Sequence, residues 1–377
     1  MNEYRKIPCI IMRAGTSKGI FLKRNHLPQD PLLRDKTILA IFGSPDIRQI
    51  DGLGGADPLT SKLAIIGPSS RSDADIDYTF GQVSINTPYV DYSGNCGNIS
   101  SGVGPFAIDE GFVTAQEPVT TVRIHNTNTG KILIAEVPVI NGQAQVKGDC
   151  KIDGVPGTGA KIMLDFADTA GSVTKNLLPT GNVVDILETS IGSLEASIVD
   201  CANPCVFVRA KDIGMKGTEK PQEINGNKQI LDLLEEIRAK TAVKIGMAAD
   251  LKTALEKSPA FPMIAFVSPP QDYEDFTTGN IITKAQIDFV SRLMFMQVVH
   301  KAYPGTGTVC TGVAARIPGT IVNQAMEKNQ ADNVIRIGHP AGIIEIEAIV
   351  QNDEVKRAAF ARTARRILEG QVCIVNK

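Results

Sequence analysis

Apolar positions in this chain recur in short alternating runs, and the elements they predict come in the same order twice. Residues 9–22, CIIMRAGTSKGIFL, form two apolar runs around a Gly/Ser/Thr turn, the pattern of two strands joined by a turn. A helix is expected over 31–42. LAIIG (63–67) and YTFGQVSIN (78–86) alternate like strands, and residues 120–140 read as a hairpin about Asn-Thr-Gly. The second half follows suit. It has strands across 197–208, a helix over 227–240, a strand over 262–267, a long helix over 284–300 and a hairpin over 333–350. VKRAAFARTARRILEG (355–370) reads as a final amphipathic helix closed by a glycine.

The two halves also match in residues. Gly19–Leu22 matches Cys205–Val208, Leu63–Pro68 matches Ile264–Pro269, Gly97–Val103 matches Gly307–Val313, and Val122–Ile124 matches Ile335–Ile337. The offset grows steadily along the chain, as a duplicated unit with insertions requires. A period near 200 residues means two like domains and not a solenoid. The Pro/Gly/Asn stretch at 177–186 suits a linker, so the expected domains are 1–182 and 183–377. Two facing domains of one fold would leave a cleft for a small molecule, with the matched loops facing each other across it.

Composition narrows the function classes. With 377 residues, one hydrophobic core is too few, and 43% hydrophobic with 21% charged residues is globular composition. The net charge of −2, without a long run of one sign, argues against nucleic acid as a partner. No apolar run is long enough to span a bilayer, and the first residues lack the features of a signal peptide, so a cytoplasmic protein is expected. Seven widely spaced cysteines do not form a disulfide framework. Four histidines, none at i, i+4 spacing, argue against a transition-metal centre. AGTSKG and GTGTVCTG both miss the phosphate-loop spacings, so no nucleotide is expected.

The chemistry is expected where Gly-rich loops run into small residues. YSGNCGNISSGVG (92–104) and its match PGTGTVCTGVA (304–314) would each open a helix, presenting free N–H groups and a positive dipole end to an anion. Two such ends suit a dicarboxylate, with Asn95, Asn98, Thr306 and Thr308 as added donors. Thr16 and Ser17 in MRAGTSKG, and Asn203 in VDCANPC, lie on turns rich in donors. The halves differ in one pair of positions: Cys96 aligns with Thr306, and Lys62 with Met263. A helix N-terminus and a neighbouring lysine both favour the thiolate, and a lysine in a cleft loses hydration. Such a pair could hold one proton near neutral pH, as proton transfer needs. The plainer reading makes Cys96 a small core residue and Lys62 a solvated strand-end charge. The Gly-rich DGLGGADPLTSK (51–62), leading straight into Lys62, favours the site.

These residues carry a resemblance. MRAGTSKGIFL (12–22), DGLGGADPLTSK (51–62), GNCGNISSGVGPFAIDEG (94–111), NPCVFV (203–208), KAYPGTGTVCTGVAARIPGT (301–320) and GHPAG (338–342) resemble the 2-methylaconitate cis–trans isomerase-like family, a branch of the diaminopimelate epimerase-like fold. The resemblance implies an α+β protein of two similar domains, each a barrel-like sheet around a central helix, with the family's lysine and cysteine on Lys62 and Cys96. The wider fold uses one cysteine per domain; Thr306 departs from that and disfavours a two-thiol racemase. Within the family the chain is most similar to members that isomerise 3-methylitaconate in anaerobic nicotinate breakdown.

The expected reaction is a cofactor-independent 1,3-proton shift in a small unsaturated dicarboxylate, giving 2,3-dimethylmaleate. Cys96 is the expected base, with Lys62 keeping it ionised and gripping a carboxylate; the alternative is the reverse, Lys62 as base and Cys96 as acid. Thr16, Ser17, Asn95, Gly97, Asn98, Asn203, Thr306, Gly307, Thr308 and His339 are candidate substrate contacts, and Lys301, read as a helix-end lysine, could balance a second carboxylate. Rival readings are a 2-methylaconitate isomerase, an oxalomesaconate tautomerase, each with a dicarboxylate or tricarboxylate substrate, and a non-catalytic dicarboxylate-binding protein. A homo-oligomer is compatible with the sequence.

Overall fold

The computed structural model describes residues 3–92, 94–326 and 332–375. Ser93, within the first Gly-rich stretch, lies outside them. The chain divides into two compact units, one of Met1–Leu164 with Ala361–Lys377 and one of Asp165–Phe360. The boundary expected at 182/183 lies inside the second unit. Residues 170–174 are tied there to Asp200, whose carboxylate takes the N–H groups of Val173 and Thr174, while Gly171 N donates to Asp200 O. Ala364–Val375 belongs to the first unit because it pairs along its length with Tyr4–Ala14.

Each unit is built the same way. In the first, Tyr4–Ala14 turns into Ser17–Lys23, which runs parallel to Lys62–Pro68; Ile76–Val83 is antiparallel to that and parallel to Val119–Asn126, which forms a hairpin with Lys131–Ile140. In the second, Gly192–Cys201, Asn203–Arg209, Met263–Ser268, Phe289–Phe295, Val334–His339 and Gly342–Gln351 pair in the same order and senses. The duplication extends to register: Gly19 lies opposite Lys62, and Cys205 opposite Met263.

A buried helix runs along the inner face of each sheet. Gly97–Ile108 of the Gly97–Asp109 helix are all buried, as are Gly305–Ala315 of the Gly305–Arg316 helix. Small residues allow this. A Cβ on Gly104 would come within 2.7 Å of Val137, and one on Gly312 within 2.5 Å of Ile346. The outer face of the first sheet packs Ile20, Leu22, Leu63 and Ile65 against Ile38, Ile41 and Phe42 of the Pro31–Phe42 helix. In the second unit Val206, Val208, Ile264 and Phe266 pack with Leu234 and Ile237 of the Lys228–Lys244 helix.

Two expected helices are strands. Residues 284–300 hold a short 3-10 turn, the central strand Phe289–Phe295 and Val298–Val299. Residues 355–370 fall in Glu354–Arg362 and Ala364–Val375. Among the described residues no helix is long and apolar enough to cross a membrane.

Candidate functional site

Lys62 is aimed by the loop before it. Gln49, held at φ 46°, takes Ala56 N and Ser61 Oγ on its Oε1, each at 2.8 Å, so the Gly-rich segment wraps a buried amide. A Cβ on Gly54 would stand 2.2 Å from that amide. Ser61 O then accepts from Val83 N and Gln82 Nε2, fixing the start of the strand. From there Lys62, half-buried, passes its Nζ 5.6 Å from the Phe80 ring centroid and donates to Cys96 Sγ at 3.3 Å.

Cys96 is the residue that caps the Gly97–Asp109 helix, buried and with extended backbone (φ −125°, ψ 101°). Its own carbonyl accepts from Ser100 N and Ser100 Oγ, both at 2.9 Å, which anchors the first helical turn at the residue that carries the sulfur. The structure thus brings Cys96 Sγ, Lys62 Nζ and the start of the helix together.

The turn at Gly15–Ser17 is clamped onto this helix. Asn98 Oδ1 accepts from Thr16 N at 3.3 Å and from Arg362 Nε at 3.1 Å, while Asn98 Nδ2 donates to Thr16 Oγ1 at 3.0 Å. Gly15 N donates to Thr363 O, and Arg13 Nη1 donates to the carbonyls of Gly15 and Thr363. Asn98 and Thr16, expected to touch a ligand, spend these polar groups on each other. Burial pulls the Arg362 guanidinium down to about 10, with the sulfurs of Cys150 and Cys96 pulling the other way.

Among the described residues, Ser17 Oγ, Asn95 Nδ2 and the Tyr78 hydroxyl are among the buried side-chain polar atoms of this unit that have no hydrogen-bond partner. Asn95 Oδ1 lies 3.3 Å from Ser100 Oγ. Burial pushes the Tyr78 phenol well above its usual range; the nearby Cys96 adds to this and Ser100 opposes it. Unsatisfied buried donors are costly, and they suit carboxylate oxygens.

In the second unit Asn203 is buried opposite Cys201, as Ser17 lies opposite Ala14. Thr306, Gly307 and Thr308 are buried in the first turn of the Gly305–Arg316 helix, capped by Pro304. Thr308 Oγ1 donates back to Pro304 O at 3.0 Å, as Ser100 Oγ does to Cys96 O. Gly312 packs on the second hairpin strand, as Gly104 does. Both correspondences set Cys96 against Pro304 and Asn98 against Thr306, two residues away from the sequence match. Close approach of the glycines to the sheet fixes the helix register, whereas the sequence match followed Gly97 and Gly307. Lys62 against Met263 stands. His339 is buried at a hairpin end, its Nδ1 accepting from Ala341 N at 3.2 Å and its carbonyl from the Tyr273 hydroxyl at 2.9 Å. Lys301 is exposed and follows a short strand, so it is not a helix-end lysine.

A family model described as PrpF protein matches residues 4–375. The chain belongs to the PrpF family. This PrpF chain is 67% identical over 374 residues to a 3-methylitaconate isomerase of Eubacterium barkeri, covering 99% of this chain and 98% of that one. It is 39% identical over 385 residues to a 2-methyl-aconitate isomerase of Shewanella oneidensis, covering 97% and 96%. A solved structure of a methylitaconate Δ-isomerase matches with a TM-score of 0.91 at 66% identity, covering 99% of this chain and 97% of that one.

Two residues of the PrpF chain beside the thiol escaped the sequence reading. Tyr78 sits in a strand whose alternation marked it only as core. Arg362 sits in a segment read as a helix, 264 residues from Asn98. No local pattern signals either. Among the described residues, no group of three or more His, Cys, Asp or Glu side chains is placed to hold a metal ion.

Proposed function

We propose that the chain is an isomerase that shifts a proton across the C=C bond of 3-methylitaconate to give 2,3-dimethylmaleate. The observation that carries this reading is the 3.3 Å contact of Lys62 Nζ with Cys96 Sγ at the start of a buried helix. The 67% identity to a 3-methylitaconate isomerase supports the substrate.

In the proposed step the C3–H bond breaks and its proton passes to Cys96 Sγ. The electron pair spreads over the adjoining carboxylate and the allyl system. The methylene carbon then takes a proton back from the same sulfur, the double bond moves to C2–C3, and a methyl group is left. One base serves both transfers if they occur on one face. Charge grows on the carboxylate as C3–H breaks, so donors already aimed at it lower the barrier. The opening N–H groups of the helix, with Ser17 Oγ, Asn95 Nδ2 and the Tyr78 hydroxyl, are the donors we assign to it. Lys62 holds the sulfur and grips a carboxylate. The step balances without an external oxidant or reductant, and we propose it as cofactor-independent; the cytoplasm and nicotinate breakdown are proposed as its setting on the sequence reading alone.

The test is incubation with 3-methylitaconate in D2O, followed by NMR. The methylene signals are expected to give way to a second methyl signal. Neither isomerisation nor exchange would overturn the reading. Cys96→Ser is expected to lose about 10²–10⁴ in rate, the usual contribution of a positioned proton-transfer group; an undiminished rate would remove the thiol from the mechanism and leave the isomerase reading standing. A panel including 2-methylaconitate separates the substrates within the family.

A further inference from the structure

Arg362 is buried, with 5% of its surface exposed, at the end of the Glu354–Arg362 strand. Burying a guanidinium is costly, and a residue serving only to fill space there would be apolar. Its Nε donates to Asn98 Oδ1 at 3.1 Å, and its Nη1 donates to the Ala361 carbonyl at 2.9 Å. Asn98 is the second residue of the helix that Cys96 caps. With Oδ1 facing Arg362, the amide can present Nδ2 only the other way, and there it meets Thr16 Oγ1 at 3.0 Å. A flipped amide would set its NH2 against the guanidinium, donor to donor. The next residue, Thr363, takes Gly15 N and Arg13 Nη1 on its carbonyl. The segment 362–363 therefore holds the Gly15–Ser17 turn twice, through Asn98 and through the backbone, and Ser17 Oγ is one of the unpartnered donors.

We propose that Arg362 is a positioning residue for this site: through Asn98 it fixes the turn that presents Ser17 against the helix that Cys96 caps. The inference rests on the proposed function for its kinetic arm only. Geometry and charge are separable. A lysine keeps the charge but lacks the planar Nε–H that meets Asn98, and a methionine lacks both.

The experiment compares Arg362→Met, Arg362→Lys, Asn98→Ala and the Arg362→Met/Asn98→Ala double variant. It reads kcat and KM for 3-methylitaconate, and the rate of Cys96 alkylation by iodoacetamide at pH 7, located by peptide mass spectrometry. Arg362→Met is expected to raise KM about tenfold, the order expected when a hydrogen bond from a charged group is lost, and to change the alkylation rate by more than about twofold as the first turn of the helix shifts. Arg362→Lys is expected to raise KM similarly, because it lacks the planar Nε–H that meets Asn98. The double variant is expected to show a KM no higher than the worse single, since residues acting through one contact are not additive.

Folded Arg362→Met with both readouts within about twofold of wild type overturns the inference, as does a KM in the double variant equal to the product of the two single effects. If Arg362→Met does not fold, Arg362→Lys decides: an unchanged KM overturns the inference. A wild type inert toward 3-methylitaconate overturns the proposed function instead, and the alkylation rates of the four variants still judge Arg362.

Discussion

Replacing Gly15 by alanine tests the clamp on the turn. Gly15 has φ +54°, and a Cβ there would stand 2.1 Å from Asn98 Oδ1 and 2.8 Å from its Cγ. Two costs follow. An L-residue in the left-handed region loses about 1–2 kcal/mol. The displaced amide also forfeits its bonds to Thr16 N, Thr16 Oγ1 and Arg362 Nε, at about 1 kcal/mol each. Against this, alanine restricts the unfolded chain and returns about 0.4–1 kcal/mol. The net is a loss of about 3–4.5 kcal/mol, which at about 2–4 °C per kcal/mol for a unit of this size lowers Tm by roughly 6–18 °C. Gly130→Ala supplies the control. Gly130 has φ +70°, with nothing within 4 Å of an added Cβ, so it carries the backbone cost alone. Calorimetry on the two variants should separate them by several degrees. Equal melting temperatures would show that the contact with Asn98 contributes nothing, and the account of the turn would fall.

Lys62→Met places in the first unit the residue that the second carries at the same register, Met263. It should lose about 10²–10³ in turnover, the usual effect of removing a group that stabilises developing charge, with Tm nearly unchanged; retained turnover in the NMR assay would exclude the Lys62 amine from the chemistry. Asp77 governs acid stability near the Val119–Asn126 strand. Burial alone would raise its carboxyl, but Ser70 N, His125, Arg24 and Ser70 Oγ together hold it down to about 2. A depressed carboxyl stabilises the fold fully above its unfolded value near 3.8 and loses that contribution as pH falls from there toward 2. Asp77→Asn should therefore flatten the pH dependence of Tm between about 4 and 2, as read by circular dichroism; an unaltered slope would refute the assignment.

The sequence made the duplicated order of strands readable because alternation and Gly-rich turns are local signals. It misread residues 289–295 because FVSRLMF is buried on both faces, Ser291 and Arg292 included, so no alternation of polar and apolar positions betrays a strand. It misread 355–370 for a different reason. Ala, Arg and Leu there favour a helix in isolation, but Glu354–Arg362 is paired with Gly342–Gln351, and Ala364–Val375 with Tyr4–Ala14. Long-range pairing overrides propensity. The pairing of Lys62 with Cys96 was legible from the contrast between halves, although the helix partner inferred for Cys96 was two residues out. Arg362 was invisible, since its role depends on a contact spanning 264 residues.

The pairing of Ala364–Val375 with Tyr4–Ala14 sets a timetable for synthesis. The first unit takes its last strand only after Asp165–Phe360 has been translated, a delay of roughly 10–40 s at ribosomal speeds of about 5–20 residues per second. During that interval Tyr4–Ala14 has an open edge, with Ile7, Cys9 and Ile10 awaiting cover. The second unit, whose strands come from one continuous stretch, is free to fold first. A ribosome stalled before residue 364 should thus hold a protease-resistant second unit and a first unit that is still cleavable.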